Sequence, residues 1–378
     1  MTDVLEAAPA AAASDILSPD EAFFPRIPPL NIELSSRCNL KCPYCANPTL
    51  TRDYENLPDH LFEKVVAEAR ETGTPIWSLH GVGEPLLRRD LEDVLRKIDA
   101  TGLWSKWIVT NGALLHPARM KTLYEAGLRG IYNSVDSLDP EMFKRTRGGK
   151  IEKIIANVQA AAAAYPDVPI MVGLMNHKEQ VIGEAEKAVF QQHFGHLPNV
   201  TMHVYENGRF PGAGEDWRRN GHDFVTEVCF SPSSHFTIDA RGKVALCCAD
   251  QNTEYELGDV SSQTIAEIWY SRANQETFRQ IALGLKGCPK VCYKCVLKPT
   301  KRTLDDVDPV LWGPFSALLA ASDRLREVGE IEAAKGYMDY ALLRDPQNAD
   351  VKAKLAELEA LTGHKNRSYF QQYLDGGL

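Results

Sequence analysis

Residues 29–207 predict an α/β fold: a parallel sheet with helices outside it. Three observations carry this. Six apolar runs of strand length alternate with helical patterns along this stretch. The connections between them are short, which suits strand–helix–strand units. The runs are continuously apolar rather than alternating, as a sheet buried on both faces requires.

In order, the strand candidates are Leu30–Leu34, Ile76–Leu79, Trp107–Val109, Ile131–Val135, Ile170–Leu174 and Val200–Tyr205. Between them, apolar residues at helical spacing predict helices over His60–Glu71, Asp90–Thr101, Pro117–Ala126, Ile151–Ala164 and Gly183–Phe194, with another starting near Pro140. Residues 1–28 are small, Pro-rich and aperiodic, and read as a flexible tail. A Gly- and Pro-rich stretch from Asn207 to Gly214 opens a linker over 208–228.

Composition narrows the function classes. A chain of 378 residues with 44% hydrophobic and 25% charged content holds a sizeable core and more than one domain. A net charge of −9 with no dense Lys/Arg block argues against a nucleic-acid partner. No apolar run reaches the roughly 20 residues of a membrane span. The first 25 residues contain neither Lys nor Arg, so the Ala-rich opening lacks a signal peptide's charged region. Nine cysteines cluster as 38/42/45, 229/247/248 and 288/292/295, the spacing of metal sites rather than of a disulfide framework. These features predict a soluble, cytoplasmic, oxygen-sensitive protein.

The most informative stretch is Ser36-Arg37-Cys38-Asn39-Leu40-Lys41-Cys42-Pro43-Tyr44-Cys45, a C-x3-C-x2-C loop after the first strand. Thiolates are soft ligands that suit iron–sulfur clusters or zinc. Either centre normally takes four protein ligands, and this loop offers three, which leaves one metal position open for a substrate. The other reading is a zinc knuckle completed by a distant His or Cys.

The loop, including Tyr44 before the third cysteine, resembles the signature of the radical S-adenosylmethionine (SAM) superfamily. That resemblance implies a partial (β/α)6 barrel, which matches the six strands. It also implies a [4Fe–4S] cluster on Cys38, Cys42 and Cys45, with SAM bound at the fourth iron. Reductive cleavage of SAM to a 5′-deoxyadenosyl radical, fed by an electron donor such as flavodoxin or ferredoxin, would follow. Ligands in such folds sit at the carboxyl ends of strands, where further candidates lie. His80-Gly81-Val82-Gly83-Glu84-Pro85-Leu86 resembles the family's Gly-Gly-Glu-Pro motif with Val82 in place of the first Gly, which makes Gly83 and Glu84 candidate SAM contacts. Asn111, Ser134 and Asp136 follow at the next two strand ends, although Asp136 could equally cap the helix near Pro140. Gly173 and Tyr205 are expected near adenine. His80 reads as a packed histidine ahead of a catalytic one.

In the second cysteine system, Phe236–Ile238 and Lys243–Leu246, joined by Asp239-Ala240-Arg241-Gly242, read as a β-hairpin. A hairpin brings Cys229 and Cys247 together. The spacing C-x12-G-x4-C, followed by Cys288-x3-Cys292-x2-Cys295, resembles the twitch/SPASM module of radical SAM enzymes. The resemblance implies an auxiliary [4Fe–4S] cluster on Cys229, Cys247, Cys292 and Cys295 within a small α+β module over 229–300. A four-cysteine zinc site is the alternative. Cys248 is then a candidate hydrogen-atom donor to a substrate radical, or a small buried residue beside a ligand, and Cys288 is a spare or a substitute ligand near Cys292. Residues 301–378 form a helical extension, with Ala334, Ala341 and Pro346 at the offsets of a single tetratricopeptide-like (TPR-like) unit.

The expected activity is hydrogen abstraction from a carbinol carbon of a sugar, aminocyclitol or other natural-product intermediate, ending in dehydrogenation or epimerisation. The alternative is maturation of a ribosomally made peptide. The third reading is a non-catalytic metal-binding protein.

Overall fold

A computed structural model describes residues 15–99, 102, 107–177, 179–206, 229, 231–282, 288–294, 313 and 315–362. The predicted alternation is present. In chain order the first half runs β1 (Leu30–Ile32), α1 (Asp59–Thr72), β2 (Ile76–Ser78), α2 (Leu91–Asp99), β3 (Trp107–Thr110), α3 (Pro117–Glu125), β4 (Gly130–Asp136), α4 (Pro140–Thr146), α5 (Ile151–Ala164), β5 (Ile170–Asn176), α6 (Glu184–Phe194) and β6 (Val200–Glu206). Their boundaries follow local chemistry. At α4, Pro140 takes the first turn and the Asp139 carboxylate accepts from the Met142 amide at 2.8 Å. Asp139, not Asp136, therefore caps this helix.

The strands form two sheets. One is parallel, in the order β3-β4-β5-β6. The other continues through α7 (Ser231–Ser234), β7 (Phe236–Ile238), β8 (Lys243–Ala245) and β9 (Glu256–Asp259), in the order β2-β1-β7-β8-β9. The predicted hairpin is β7–β8, closed by a turn in which the Gly242 amide donates to Asp239 O at 2.9 Å and Gly242 takes φ +86°. Its first strand pairs parallel with β1, Leu30 opposite Phe236 and Ile32 opposite Ile238. The second cysteine system thus extends the barrel's own sheet. The barrel is open, two arcs of sheet rather than a closed ring, in keeping with a partial (β/α)6 barrel.

One core serves both halves. Leu30, Ile32, Phe62 and Val65 of the barrel belong to the same buried cluster as Phe236, Ile238, Ile265, Trp269 and Phe278. The last three come from α8 (Ile265–Trp269) and α9 (Arg272–Ala282), and α9 had no counterpart in the sequence reading. A short α10 (Lys290–Lys294) follows, then α11 (Phe315–Glu327), α12 (Ile331–Arg344) and α13 (Ala349–Thr362), the predicted three-helix tail.

The flexible tail expected over 1–28 is docked from residue 15 onward. Phe23 and Phe24 are buried, and Phe24 lies 6.1 Å from the Trp269 ring and 5.8 Å from Phe278. Leu17 N donates to Tyr270 O at 2.8 Å, and Trp269 Nε1 donates to Phe24 O. Two adjacent aromatic rings bury enough apolar surface to order a Pro-rich segment that has no periodicity. The linker at 208–228 and residues 295–312 lie outside the described residues.

Candidate active site

The cysteine loop leaves β1 and reaches across to the β3-β4-β5-β6 sheet. Cys42 and Tyr44 are buried with Met175 of β5, and Leu40, Cys45 and Tyr205 of β6 pack around them. The loop is stitched at both ends by Asn47, whose amide donates to Ser36 O at 2.7 Å and Val82 O at 3.0 Å. Asn47 had no sequence signal, since one Asn after a Cys-rich turn carries no spacing.

Backbone amides donate to sulfur at Cys38 (from Leu40) and Cys45 (from Asn47), each at 3.4 Å. Burial, with the neighbouring Cys42 and Cys38, pushes the Cys45 thiol up to about 11 against the Asn47 amide. Cys38 and Cys42 are also raised, chiefly by burial. Cys42 is buried and Cys38 and Cys45 half-buried, and sulfurs that repel one another when ionised are favoured as thiolates by a multiply charged cation. Among the described residues no three His, Cys, Asp or Glu side chains converge to hold a single metal ion. The donor set, three sulfurs with amides turned toward them, fits an iron–sulfur cluster.

The glycine-rich loop after β2 packs directly on the cysteine loop. A Cβ on Gly83 would lie 1.9 Å from Ser35 O and 2.8 Å from Arg37 O. Only glycine fits there. Glu84 is buried, and its carboxylate accepts from Thr110 Oγ1 (2.7 Å), the Asn111 amide (2.8 Å) and the Leu86 amide (3.0 Å). It braces this loop against the end of β3. Asn111 Nδ2 donates to Asn39 Oδ1 at 2.9 Å and lies 4.0 Å from Cys38 Sγ, so the third strand end does meet the cysteine loop. His80 accepts or donates through Nδ1 to Ser78 Oγ at 2.6 Å.

At the end of β4 the register shifts between Ser134 and Asp136, and Asp136 adopts φ +71°. Ser134 stays half-buried on the strand. The fully buried Asp136 carboxylate takes both arms of Arg147 at 2.7 Å, together with the hydroxyls of Tyr44 and Tyr205, the latter at 2.5 Å. Burial alone pulls the Arg147 pKa down, but Asp136 outweighs it and the guanidinium stays charged. Sequence reasoning missed Arg147, which stands eleven positions after Asp136 in a helix-terminal Arg-Gly-Gly that looks like an exposed turn. A buried guanidinium near three sulfurs can hold a carboxylate. Gly173 lies under Tyr132, whose hydroxyl is 2.4 Å from where a Cβ would stand and 3.0 Å from His203 Nδ1.

The second cysteine group lies at the far end of the β7–β8 hairpin. Cys248, Cys229 and Cys292 all act electrostatically on Cys247, which burial raises well above the usual thiol value. Three of the four expected ligands, Cys229, Cys247 and Cys292, therefore lie near enough to act on one another without converging on a single metal position among the described residues, and Cys295 lies outside those residues. Cys288 is buried beside Cys229 and pushed up to about 12 by burial. Cys248 is exposed, in a turn whose carbonyl accepts from Gln251 Nε2.

Comparison with known proteins places these features. Residues 32–189 match the radical SAM superfamily, and residues 229–296 match SPASM, an iron–sulfur cluster-binding domain. A PqqA peptide cyclase of Rhizobium meliloti is 36% identical over 172 residues, 44% of this chain and 44% of that protein. A probable GTP 3′,8-cyclase of Methanothermobacter marburgensis is 32% identical over 156 residues, 40% of this chain and 50% of that protein. The chain thus spans half or less of the length of these two relatives. A PqqA peptide cyclase of Xanthomonas campestris pv. campestris is 26% identical over 382 aligned residues, 87% of this chain and 97% of that protein. Among solved structures, Streptococcus suis SuiB bound to precursor peptide SuiA has a TM-score of 0.52 at 15% identity, covering 75% of this chain and 71% of that one. The protein anSMEcpe, with bound AdoMet and Cp18Cys peptide, has a TM-score of 0.53 at 18% identity, covering 72% and 88%. These two likenesses are of fold.

Proposed function

We propose that this chain, a radical SAM enzyme carrying a SPASM iron–sulfur domain, modifies a peptide by abstracting hydrogen from one of its C–H bonds and cyclising or cross-linking it. The observation that supports this most is the similarity to a PqqA peptide cyclase along 87% of the chain and 97% of that protein. It favours the peptide reading over the carbinol chemistry that the sequence put first.

The [4Fe–4S] cluster and SAM that the radical SAM domain implies supply the hydrogen-abstracting radical. Cys38, Cys42 and Cys45 would hold that cluster, and Cys229, Cys247, Cys292 and Cys295 are proposed for the second. Arg147, whose Nε and Nη2 are held by Asp136, would offer its remaining Nη1 to the SAM carboxylate, with Tyr44 and Tyr205 bracing Asp136. Gly83 lets the β2 loop approach the cysteine loop, and Glu84 holds that loop against Asn111. Ser134 lines the same strand end.

The test uses anaerobically reconstituted protein with SAM, reductant and short peptides encoded beside its own gene. SAM cleavage that depends on the peptide, with a peptide product lacking two hydrogens, supports the reading. Cleavage indifferent to every peptide but coupled to oxidation or inversion of a polyol returns the carbinol reading.

A further inference from the structure

We propose that Tyr132 and His203 form the proton acceptor of the reaction: as a substrate proton reaches Tyr132 Oη, the phenol's own proton passes to His203 Nδ1. This rests on the reading above, in which the product lacks two hydrogens, and adds the residues that take up one of them.

Three strands build the pair. Ser134 of β4, Gly173 of β5 and His203 of β6 stand in register across the sheet. β4 and β6 are not neighbours, so the Tyr132 side chain must cross β5 to reach His203. It crosses over Gly173, where any Cβ would run into the phenol hydroxyl. The hydroxyl lies 3.0 Å from His203 Nδ1, with the two rings edge to face at 5.7 Å. A side chain at 173 would break the contact, which is a reason for glycine there.

The pair faces the inside of the barrel and adjoins the site already described. Ile131 and Val135 belong to the main core, so Tyr132 and Ser134, which alternate with them, occupy the opposite face. His203 stacks on Tyr205 at 6.2 Å and 20°. Tyr205 in turn donates to Asp136 at 2.5 Å, beside Arg147. His203 therefore stands about 7 Å along β6 from the Asp136 cluster's tyrosine. Tyr132 and His203 are each half-buried, so a substrate group can reach them. The other two phenols at this wall, Tyr44 and Tyr205, are spent on Asp136.

The chemistry asks for such a group. A radical route removes one hydrogen as an atom, to the 5′-deoxyadenosyl radical, and the second as a separate proton and electron. In the substrate radical the second bond to hydrogen breaks, and its proton goes to Tyr132 Oη. The bonding pair stays behind with the radical electron. One of these three electrons leaves to a one-electron oxidant of the iron–sulfur class, which a SPASM domain binds. The other two close the product bond. The Tyr132 O–H bond breaks as Nδ1–H forms, and His203 ends as imidazolium. Burial, with the Asp136 charge, holds the Tyr132 hydroxyl well above its ordinary value. A free phenolate is thereby disfavoured, and the two proton transfers are coupled.

The experiment compares full-length reconstituted wild type with Tyr132→Phe and His203→Gln, with iron content measured in each. [15N]Histidine NMR of the oxidised protein reads the pair with no substrate present. The resonance that His203→Gln deletes should report Nδ1 as a hydrogen-bond acceptor, and it should shift in Tyr132→Phe. Single-turnover reactions then use fully deuterated forms of the peptides and polyols named above. Deuterium transfer to 5′-deoxyadenosine should hold at the wild-type level in both variants. The product lacking two hydrogens should fall by about a hundredfold. An unmoved His203 resonance in Tyr132→Phe would overturn the proposal, as would unchanged product yields in both variants. Deuterium transfer that falls as far as the product would also overturn it, and would make the pair a substrate-binding element. The peptide reading fails separately, when the wild type oxidises a polyol and no peptide; the same comparison of variants then runs on that polyol.

Discussion

Asp136 concentrates the chemistry at the residue scale. It is an L-residue at positive φ, fully buried, at a break in strand register, and its charge is matched by the two-armed Arg147. Such a conformation persists where the surroundings over-determine it. Arg147→Ala would leave a buried carboxylate with only tyrosine hydroxyls, and should lower unfolding free energy by about 3 kcal/mol in a denaturant titration. A loss below about 0.5 kcal/mol would mean that water already solvates the pair. His80 and His235 make a second prediction at this scale. Burial lowers both pKa values to about 4 from an ordinary 6.5, with His235 lowering His80 further. Both are neutral in the fold and must charge in the unfolded chain, so the stability they confer is full above pH 6.5. It is lost as pH falls from 6.5 through 4. Melting temperature should drop over that window in wild type and drop less in His80→Gln/His235→Gln; parallel curves would refute the assignment.

At the scale of elements, the pairing of β7 with β1 is secured by a buried carboxylate. Glu33 Oε1 accepts from the Val82 amide and Oε2 from the Ala240 amide, each at 2.9 Å. Arg52 pairs with the same carboxylate at 2.7 Å, both side chains 3% exposed, and donates to Gln251 O beyond the second cysteine pair. One residue after the first strand thus joins the glycine-rich loop, the segment that follows the cysteine loop and the hairpin. Glu33→Gln removes the charge and turns an amide donor toward one of two backbone donors. Hydrogen exchange at Val82 and Ala240 should then quicken together, well before global unfolding; protection unchanged at both would show the contact to be incidental. Gly83→Ala is expected to be harsher, because its Cβ meets backbone rather than a movable side chain. Iron loading should fall together with folded yield.

At the scale of the whole molecule, chain ends far apart in sequence close on each other. Arg344 of α12 is buried, donates to Phe23 O at 2.6 Å and Gly313 O at 3.0 Å, and lies 4.1 Å over the Phe23 ring. Arg26 pairs with Asp345 at 2.7 Å. The TPR-like tail, with its own small core of Leu318, Met338, Ala341 and Leu355, is therefore held through the N-terminal segment to the Trp269 cluster. Phe24→Ala should cost about 3–5 kcal/mol by opening that joint. Two cysteine systems in one core predict an iron count. Replacing Cys38, Cys42 and Cys45 together with Ala should lower iron from about eight to about four per chain, leaving the second centre intact. A fall to none, with zinc present, would make the second system a structural zinc site.

Much of this was legible from sequence, for a physical reason. Strand and helix candidates depend on local apolar periodicity, and the six strands and the hairpin appear within a residue or two of their expected positions. The cysteine spacings are also local, since a loop must present its ligands within a few residues. What tertiary structure decided was set by partners distant in sequence. The docking of Phe23 and Phe24 depends on Trp269 and Phe278, some 245 residues on or more. The joining of the second cysteine system to β1 depends on backbone pairing that leaves no composition signal. Arg147 became a site residue only when a helix end folded back over Asp136, where burial turns an ordinary exposed arginine into a fixed, charged fork.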